Sequence, residues 1–261
     1  MPTMGSLHEG HYALIDAARR ECDFVVVSIF VNPTQFGPGE DYERYPRPLE
    51  ADLAGCESHG VDAVFAPSAD AMYAPGFATT VHVEGLTTGL CGRSRPGHFD
   101  GVTTVVAKLL NIVLPDVAYF GAKDYQQAAV VRRMAADLNM PLRVEVCPTV
   151  READGLAMSS RNAYLTAEER AQAPALVESL RLARRLVAEG RRDAAELADQ
   201  MRRAIARRAP LGRIDYVEIV DPDSLQNVQT IDGPVVAALA VRFPSARLID
   251  NMRIDPPGSS G

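Results

Sequence analysis

No apolar run in the 261 residues reaches the ~18–20 positions of a membrane-spanning helix; the longest, Phe24–Val31, has the length of a strand. Cysteine is scarce. Cys22, Cys56, Cys91 and Cys147 are scattered singly with no C-x-x-C pair, which argues against a disulfide framework and structural zinc and fits the reduced thiols of a cytosol. The start, Met1-Pro2-Thr3-Met4-Gly5, has neither the basic nor the apolar region of a secretory signal, so a cytoplasmic protein with no membrane partner is expected. Long basic runs are missing too. With a net charge of −7, the arginines at Arg202-Arg203 and Arg207-Arg208 read as the solvated face of a helix, and no nucleic-acid partner is expected. No internal repeat is visible.

What is present is an ordinary globular balance, 47% hydrophobic and 23% charged, at a length that suits one large or two unequal domains. Leu14, Ile15, Ala18 and Cys22 share a helical face, and Phe24–Val31 reads as a strand buried on both sides. Leu49, Leu53 and Cys56 mark a helix that stops at Gly60, and Val61–Phe65 a second strand. Val102, Val105, Val106, Leu109, Leu110 and Val113 line a helix ending at Pro115; a strand at Val117–Phe120, a helix over 124–138 and a strand at 142–146 follow. This alternation predicts an α/β fold with a Rossmann-like, doubly wound parallel sheet over 1–149. From 150 the pattern changes. Thr166-Ala167-Glu168-Glu169 is a capping box opening a helix towards Gly190, a second helix spans 193–209, and β-rich stretches fall at 214–220, 235–242 and 247–254. A smaller α+β C-terminal domain is therefore expected over 150–261, with a disordered tail from Pro256 to Gly261. Only Met1 precedes the turn Pro2–Gly5, whereas a doubly wound sheet needs a strand leading into such a turn. The first strand is thus expected to be missing, and the natural reading frame to begin upstream.

Chemistry concentrates where strands end and helices begin. His8-Glu9-Gly10-His11 opens the first helix, and two imidazoles three apart at a helix N-terminus can face one phosphate chain. Gly10 lets a base or ribose approach the backbone. The alternative is a helix-face metal pair or a surface feature. Met4 lies inside the preceding turn, suited to ligand contact or to packing. In Gly121-Ala122-Lys123-Asp124, Lys123 can neutralise phosphate charge and Asp124 can take a ribose hydroxyl; a solvated turn is the plainer reading. Ser159, Ser160 and Arg161, behind Met158 in a loop, are donors suited to a departing pyrophosphate. Gln35 and the pair Gln126-Gln127 offer neutral partners for a small polar substrate. Arg95 and His98, in a Gly/Pro-rich loop, are either an anion-binding lid or surface. His59 and His82 stand without companions.

Five blocks, in order, resemble the pantothenate synthetase family within the H-x-G-H nucleotidylyltransferase superfamily: Pro2-Thr3-Met4-Gly5 with His8–His11, Val31–Gly37, Arg95–Val102, Tyr119–Gln127, and Pro148–Glu152 with Ser159–Asn162. The likeness runs from Pro2 to about Asn251, nearly the whole chain. It implies a ligase that condenses pantoate with β-alanine through a pantoyl adenylate, uses ATP and Mg²⁺, and forms homodimers. It also implies that the C-terminal domain is a lid. By the same resemblance, ATP is held by Met4, Gly5, Ser6, Leu7, His8, Glu9, Gly10, His11, Gly121, Ala122, Lys123, Asp124, Val150, Met158, Ser159, Ser160 and Arg161. Among these His8, His11, Lys123 and Arg161 carry the catalysis. Gln35, Gln127 and Arg95 would hold substrate. Two positions depart from the family's pattern. Ala122 stands where a glutamate is usual, and Ala51-Asp52 where some members carry adjacent acids, leaving either Asp52 as the magnesium contact or the ion held mostly by ATP itself. Rival readings are a one-step nucleotidylyltransferase, an RNA-binding protein on the same core, and a non-catalytic nucleotide sensor.

Overall fold

The computed structural model describes residues 1–257; the tail disorder expected from Pro256 falls, beyond Pro257, outside the described residues. The chain divides into two compact units, Met1–Thr87 with Arg95–Val150, and Thr88–Ser94 with the residues from Arg151 on. No described helix is long and apolar enough to cross a membrane.

The first unit is built on parallel strands. β1 (Pro2–Thr3) pairs with β2 (Val26–Ile29), and β2 with β3 (Ala63–Phe65). Helix α1 (Glu9–Glu21) joins β1 to β2, and α2 (Leu49–Ser58) precedes β3, which short α3 (Ala69–Met72) follows. In the second unit's stretch of chain lies α4 (Leu90–Ser94). Back in the first unit, α5 (His98–Val113) leads to β4 (Val117–Gly121), α6 (Tyr125–Asp137) and β5 (Arg143–Cys147), with β4 and β5 parallel. The ladders form two sheets, β1-β2-β3 and β4-β5, and β1 lies alongside β4, so the strands run side by side as β3-β2-β1-β4-β5, the sequence of a doubly wound fold. Ile15 and Ala18 of α1 pack with Val25, Val27, Cys56 and Tyr119 in one core. Helix α5 ends at Leu114, whose left-handed φ of 50° closes the helix ahead of Pro115.

Three expectations meet differences here. The position expected to lack a strand holds two ladder residues: Ser28 N–H donates to Met1 O and Phe30 N–H to Thr3 O, both at 3.0 Å. Next to Met1 a cavity of about 480 Å³ is lined in part by Val26, Ser28, Leu110 and Ala118. Phe24, expected inside a buried strand, is 65% exposed, because the ladder begins only at Val26. On α2 the expected apolar face is turned out: Leu49 and Leu53 are exposed, while Asp52 and Cys56 are buried. Asp52 faces inward because backbone N–H groups there require an acceptor, as the site below shows.

In the second unit, α7 (Ala167–Gln172) and α8 (Ala175–Ala188) replace the single helix expected towards Gly190. Pro174 has no N–H to continue the ladder, so the chain breaks there. Helix α9 (Ala194–Arg208) starts on its Asp193 cap, and β6 (Arg213–Val220), β7 (Val235–Arg242) and β8 (Arg247–Ile254) form an antiparallel sheet with β7 central. Leu176, Leu180, Leu197 and Met201 from the helices meet Val217 and Leu239 from the sheet. Thr88–Ser94 belongs here because Arg247 donates to Ser94 Oγ at 3.0 Å and the Cys91 sulfur lies 3.2 Å from the Tyr216 hydroxyl. Arg202 pairs with Asp199 and Arg208 with Glu178, which agrees with a solvated helix face.

Glu169 is the most demanding polar group of this unit. It is 2% exposed, and its carboxylate accepts from Thr166 N–H at 2.7 Å and Ser245 N–H at 2.9 Å. Burial alone would raise its pKa, but the hydrogen bonds from Ser245 and Thr166 prevail and hold it below the ordinary 4.5. Glu169→Ala leaves two N–H groups without an acceptor and is expected to cost about 2–4 kcal/mol, read as a lower urea midpoint. Since a depressed carboxyl contributes stability above its ordinary pKa and loses it on acidification, the variant should also lose less stability than the parent as pH falls below about 4.5.

Candidate active site

Helix α1 is capped by its own histidines. His8 is the N-cap residue, and Gly10 N–H donates to its Nδ1 at 3.1 Å; His8 N–H in turn donates to His11 Nδ1 at 3.3 Å. Each imidazole is an acceptor at Nδ1, so each neutral ring carries its proton on Nε2. The rings lie 4.1 Å apart, centroid to centroid. The capping box thus consumes one nitrogen of each ring and makes the other a donor. Burial, then the repulsion a protonated His8 would exert and the Lys123 charge, push the His11 pKa down to about 3.

Lys123 and Asp124 occupy the single turn between β4 and α6, with Lys123 Nζ 3.6 Å from Asp124 Oδ2. This turn and the β1–α1 turn leave the same edge of the sheet, because both follow the C-terminal ends of parallel strands. Gly121 closes β4 with open space where a Cβ would stand. Ala122 lies in the same turn.

The third contributor follows β2. Asn32 is 1% exposed and organises Pro33–Gln35: its Oδ1 accepts from Thr34 and from the Tyr73 hydroxyl at 2.7 Å, and its Nδ2 donates to Gln35 Oε1 and Gly101 O, both at 3.1 Å. A Cβ on Gly101 would stand 2.4 Å from Thr34 O, so only glycine lets α5 approach this loop. Gln35 Nε2 then donates to Met4 Sδ at 3.1 Å, placing Met4 beside the loop.

Arg95, just ahead of α5, and His98, its first residue, support this loop. Arg95 grips Glu40 through two hydrogen bonds, 2.7 and 2.6 Å, and donates to Gln35 O at 3.2 Å. His98 Nδ1 also lies 2.8 Å from Gln35 O; a carbonyl can only accept, so Nδ1 carries the proton and Nε2 accepts from Arg95 at 2.9 Å. Burial, then the Arg95 charge, lowers the His98 pKa to about 4. Burial raises Glu40, but the Arg95 hydrogen bonds and charge outweigh it and hold the carboxyl at about 2.

Of the residues expected at the site, Met4, His8, His11, Gln35, Lys123 and Asp124 gather at this sheet edge. Gly5, with φ at 77°, and Ser6, at 53°, form the tight turn before Leu7, while Glu9 is exposed. Gln126 is buried and donates to Leu86 O at 2.8 Å; Gln127 stands beside it in the first turn of α6. Asp52, expected as a metal contact, accepts from the backbone of Ser6 and Leu7, and among the described residues no cluster of three or more His, Cys, Asp or Glu is shaped to hold a metal ion. Val150 ends the first unit. In the second unit, Met158 and Ser159 lead into a 3₁₀ turn holding Ser160 and Arg161; Ser159 Oγ accepts from Arg161 N–H at 3.3 Å. Asn162 anchors that turn, donating to Glu152 Oε1 at 2.7 Å and Ala157 O at 3.1 Å. His59 and His82 pair with Asp16 and Asp100.

Sequence reasoning missed Asn32 and Glu40 as organisers. Asn-Pro-Thr is an Asx-turn pattern and was readable as such. Glu40 meets Arg95 across 55 residues, and no local signal announces that.

Comparison with known proteins agrees with this geometry. The family model for pantoate–beta-alanine ligases matches residues 1–253. A pantothenate synthetase of Acetivibrio thermocellus is 55% identical over 98% of this chain and 90% of its own length. The crystal structure of the Thermus thermophilus pantothenate synthetase superposes with a TM-score of 0.95 at 53% identity, covering 98% of this chain and 92% of that one. The Francisella tularensis pantoate–beta-alanine ligase, complexed with beta-gamma ATP and beta-alanine, gives 0.78 at 36% identity, covering 96% and 87%.

Both depressed histidines lie below the ordinary 6.5, so the folded state loses stability as pH falls from there towards 4 and 3. The ¹⁵N resonances of the His11 and His98 rings are expected to stay neutral, with opposite tautomers, from about pH 8 down to about 5. An inflection above about pH 6 in either ring contradicts the assignment.

Proposed function

The chain belongs to the pantoate–beta-alanine ligase family, and we propose that it joins pantoate to β-alanine in two steps through a pantoyl adenylate. In the first, a pantoate carboxylate oxygen attacks the α-phosphorus of ATP, the α–β anhydride bond breaks, and pyrophosphate leaves. In the second, the β-alanine amine attacks the acyl carbon, AMP departs on its phosphate oxygen, and the nitrogen loses one proton to become the amide N–H. Phosphoryl transfer asks little covalent chemistry of a protein and much placement of charge.

The observation that carries this reading is the pair of capped imidazoles, each a donor at Nε2, next to Lys123. Neutral N–H donors and one ammonium match an α-phosphate and a departing pyrophosphate without adding an acid that could protonate the attacking carboxylate. Support for the substrates comes from the Francisella relative, whose complex holds beta-gamma ATP and beta-alanine. Gln35, oriented by Asn32 and Met4, and Gln127 take the roles of pantoate ligands in this proposal. Asp124, Gly121 and the backbone at Val150 and Met158 take those of ribose and adenine ligands. Ser159, Ser160 and Arg161 are assigned to the pyrophosphate oxygens. Homodimer formation and action in the cytoplasm belong to the same proposal. Magnesium carried on the phosphates of ATP itself belongs to the same proposal.

ATP–pyrophosphate exchange is expected to require pantoate but not β-alanine, because the adenylate forms before the amine reacts; AMP release should then depend on β-alanine. Exchange that needs β-alanine overturns the two-step order, and a nucleotidylyltransferase would show no amine-dependent amide. Lys123→Ala and His11→Ala are each expected to lower kcat by ~10²–10³, with normal turnover in either variant removing that residue from the mechanism.

A further inference from the structure

We infer that Asp52 is a positioning residue for adenylate formation: it occupies the anion seat of the β1–α1 turn and thereby sets the two imidazoles of α1. The inference rests on the ligase reading given above. Asp52 is 2% exposed. Its Oδ2 accepts from Ser6 N–H at 2.8 Å and its Oδ1 from Leu7 N–H at 2.7 Å. Gly5 and Ser6 both have positive φ, 77° and 53°, and successive N–H groups in a turn of this kind form a concavity that binds anions. Here the anion is internal. A Cβ on Gly5 would stand 2.8 Å from Asp52 Oδ2, so the turn is fitted closely around the carboxylate.

The carboxylate is itself held. Helix α2, which carries Asp52, docks on α1 through Gly55: a Cβ there would stand 2.2 Å from the Tyr12 hydroxyl. The Tyr12 ring stacks on His59 at 4.4 Å and 5°, and His59 Nδ1 lies 2.8 Å from Asp16 of α1. The packing of α2 on α1 and its leading turn therefore converges on the two residues before His8.

Two consequences follow for the chemistry. Because Ser6 and Leu7 N–H are committed to Asp52, phosphate recognition at this turn passes to the side chains of His8, His11 and Lys123. A carboxylate with each oxygen engaged by a backbone N–H also acts on the reaction through the turn rather than by ligating a metal.

The test uses Asp52→Asn in the full chain. An amide keeps the shape but supplies one acceptor oxygen for two donors. Four quantities are measured: thermal midpoint, kcat of pantoate-dependent ATP–pyrophosphate exchange, the Mg²⁺ concentration for half-maximal exchange, and the ¹⁵N shifts of the His8 and His11 rings. The expected result is a folded protein with kcat down roughly 10–100-fold, half-saturating Mg²⁺ within about twofold of the parent, and both rings drifting from the Nε2–H tautomer towards an average. A large rise in half-saturating Mg²⁺ with kcat recovered at saturation makes Asp52 a metal ligand and overturns the proposal. A lowered midpoint with unchanged kcat and unchanged ring shifts makes it a structural brace and overturns it as well. Where the Asn variant does not fold, Asp52→Glu, whose longer side chain cannot seat both oxygens, is read the same way; failure of both to fold assigns Asp52 to folding alone and overturns the proposal. If the parent shows no exchange with pantoate, the ligase reading fails, while the ring shifts still decide whether Asp52 sets the imidazoles.

Discussion

Between β1 and α1 the chain must leave a parallel strand, reverse, and start a helix at His8, all within Met4–Leu7. Only residues of positive φ turn that tightly, and they expose consecutive N–H groups that cannot remain unpaired inside a protein. Asp52 answers that requirement from a different helix, and α2 lies where it does in part because the carboxylate must reach the turn. Once the turn is set, the first helical N–H groups need acceptors, and the imidazoles of His8 and His11 supply them through Nδ1. The same two rings thereby become donors at Nε2. The cap uses one nitrogen of each side chain and leaves the other facing away from it.

Charge at the sheet edge is arranged by neutralisation. His11 and His98 are kept neutral by burial and by the cations beside them, Lys123 for one and Arg95 for the other. Arg95 in turn is spent on Glu40 and on the carbonyl of Gln35. The loop read as an anion-binding lid or a surface feature is thus a support in this structure: its cation shapes the Gln35 backbone, and Lys123 is the cation set beside His11. The second unit follows the same economy of buried charge, with Asp250 accepting from Arg151 at 2.7 and 2.9 Å and Glu169 serving two N–H groups.

Much of the fold was legible along the chain because its signals are local. The strands at 235–242 and 247–254, the apolar face of α5, and the capping box at Thr166–Glu169 each declare themselves within about ten residues. The misreadings share a cause. Leu49 and Leu53 looked like the buried face of α2 because apolar spacing is the usual guide, yet the buried side is chosen by Asp52, whose partners lie 46 and 45 residues away. Phe24 looked like strand core because it begins an apolar run, but the neighbouring ladder starts two residues later.

The sequence alone determined the kinds of element, their alternation, and the blocks His8–His11, Gln35, Lys123–Asp124 and Ser159–Arg161, since periodicity, caps and motifs reside in neighbouring residues. It also carried the family likeness. Only the tertiary structure decided that Thr88–Ser94 packs with the second unit, that Glu40 holds Arg95, which nitrogen of each histidine bears the proton, and that Asp52 accepts from the backbone of Ser6 and Leu7. Those facts depend on contacts across tens of residues and on the direction of single hydrogen bonds, and neither is written in any local run of the chain.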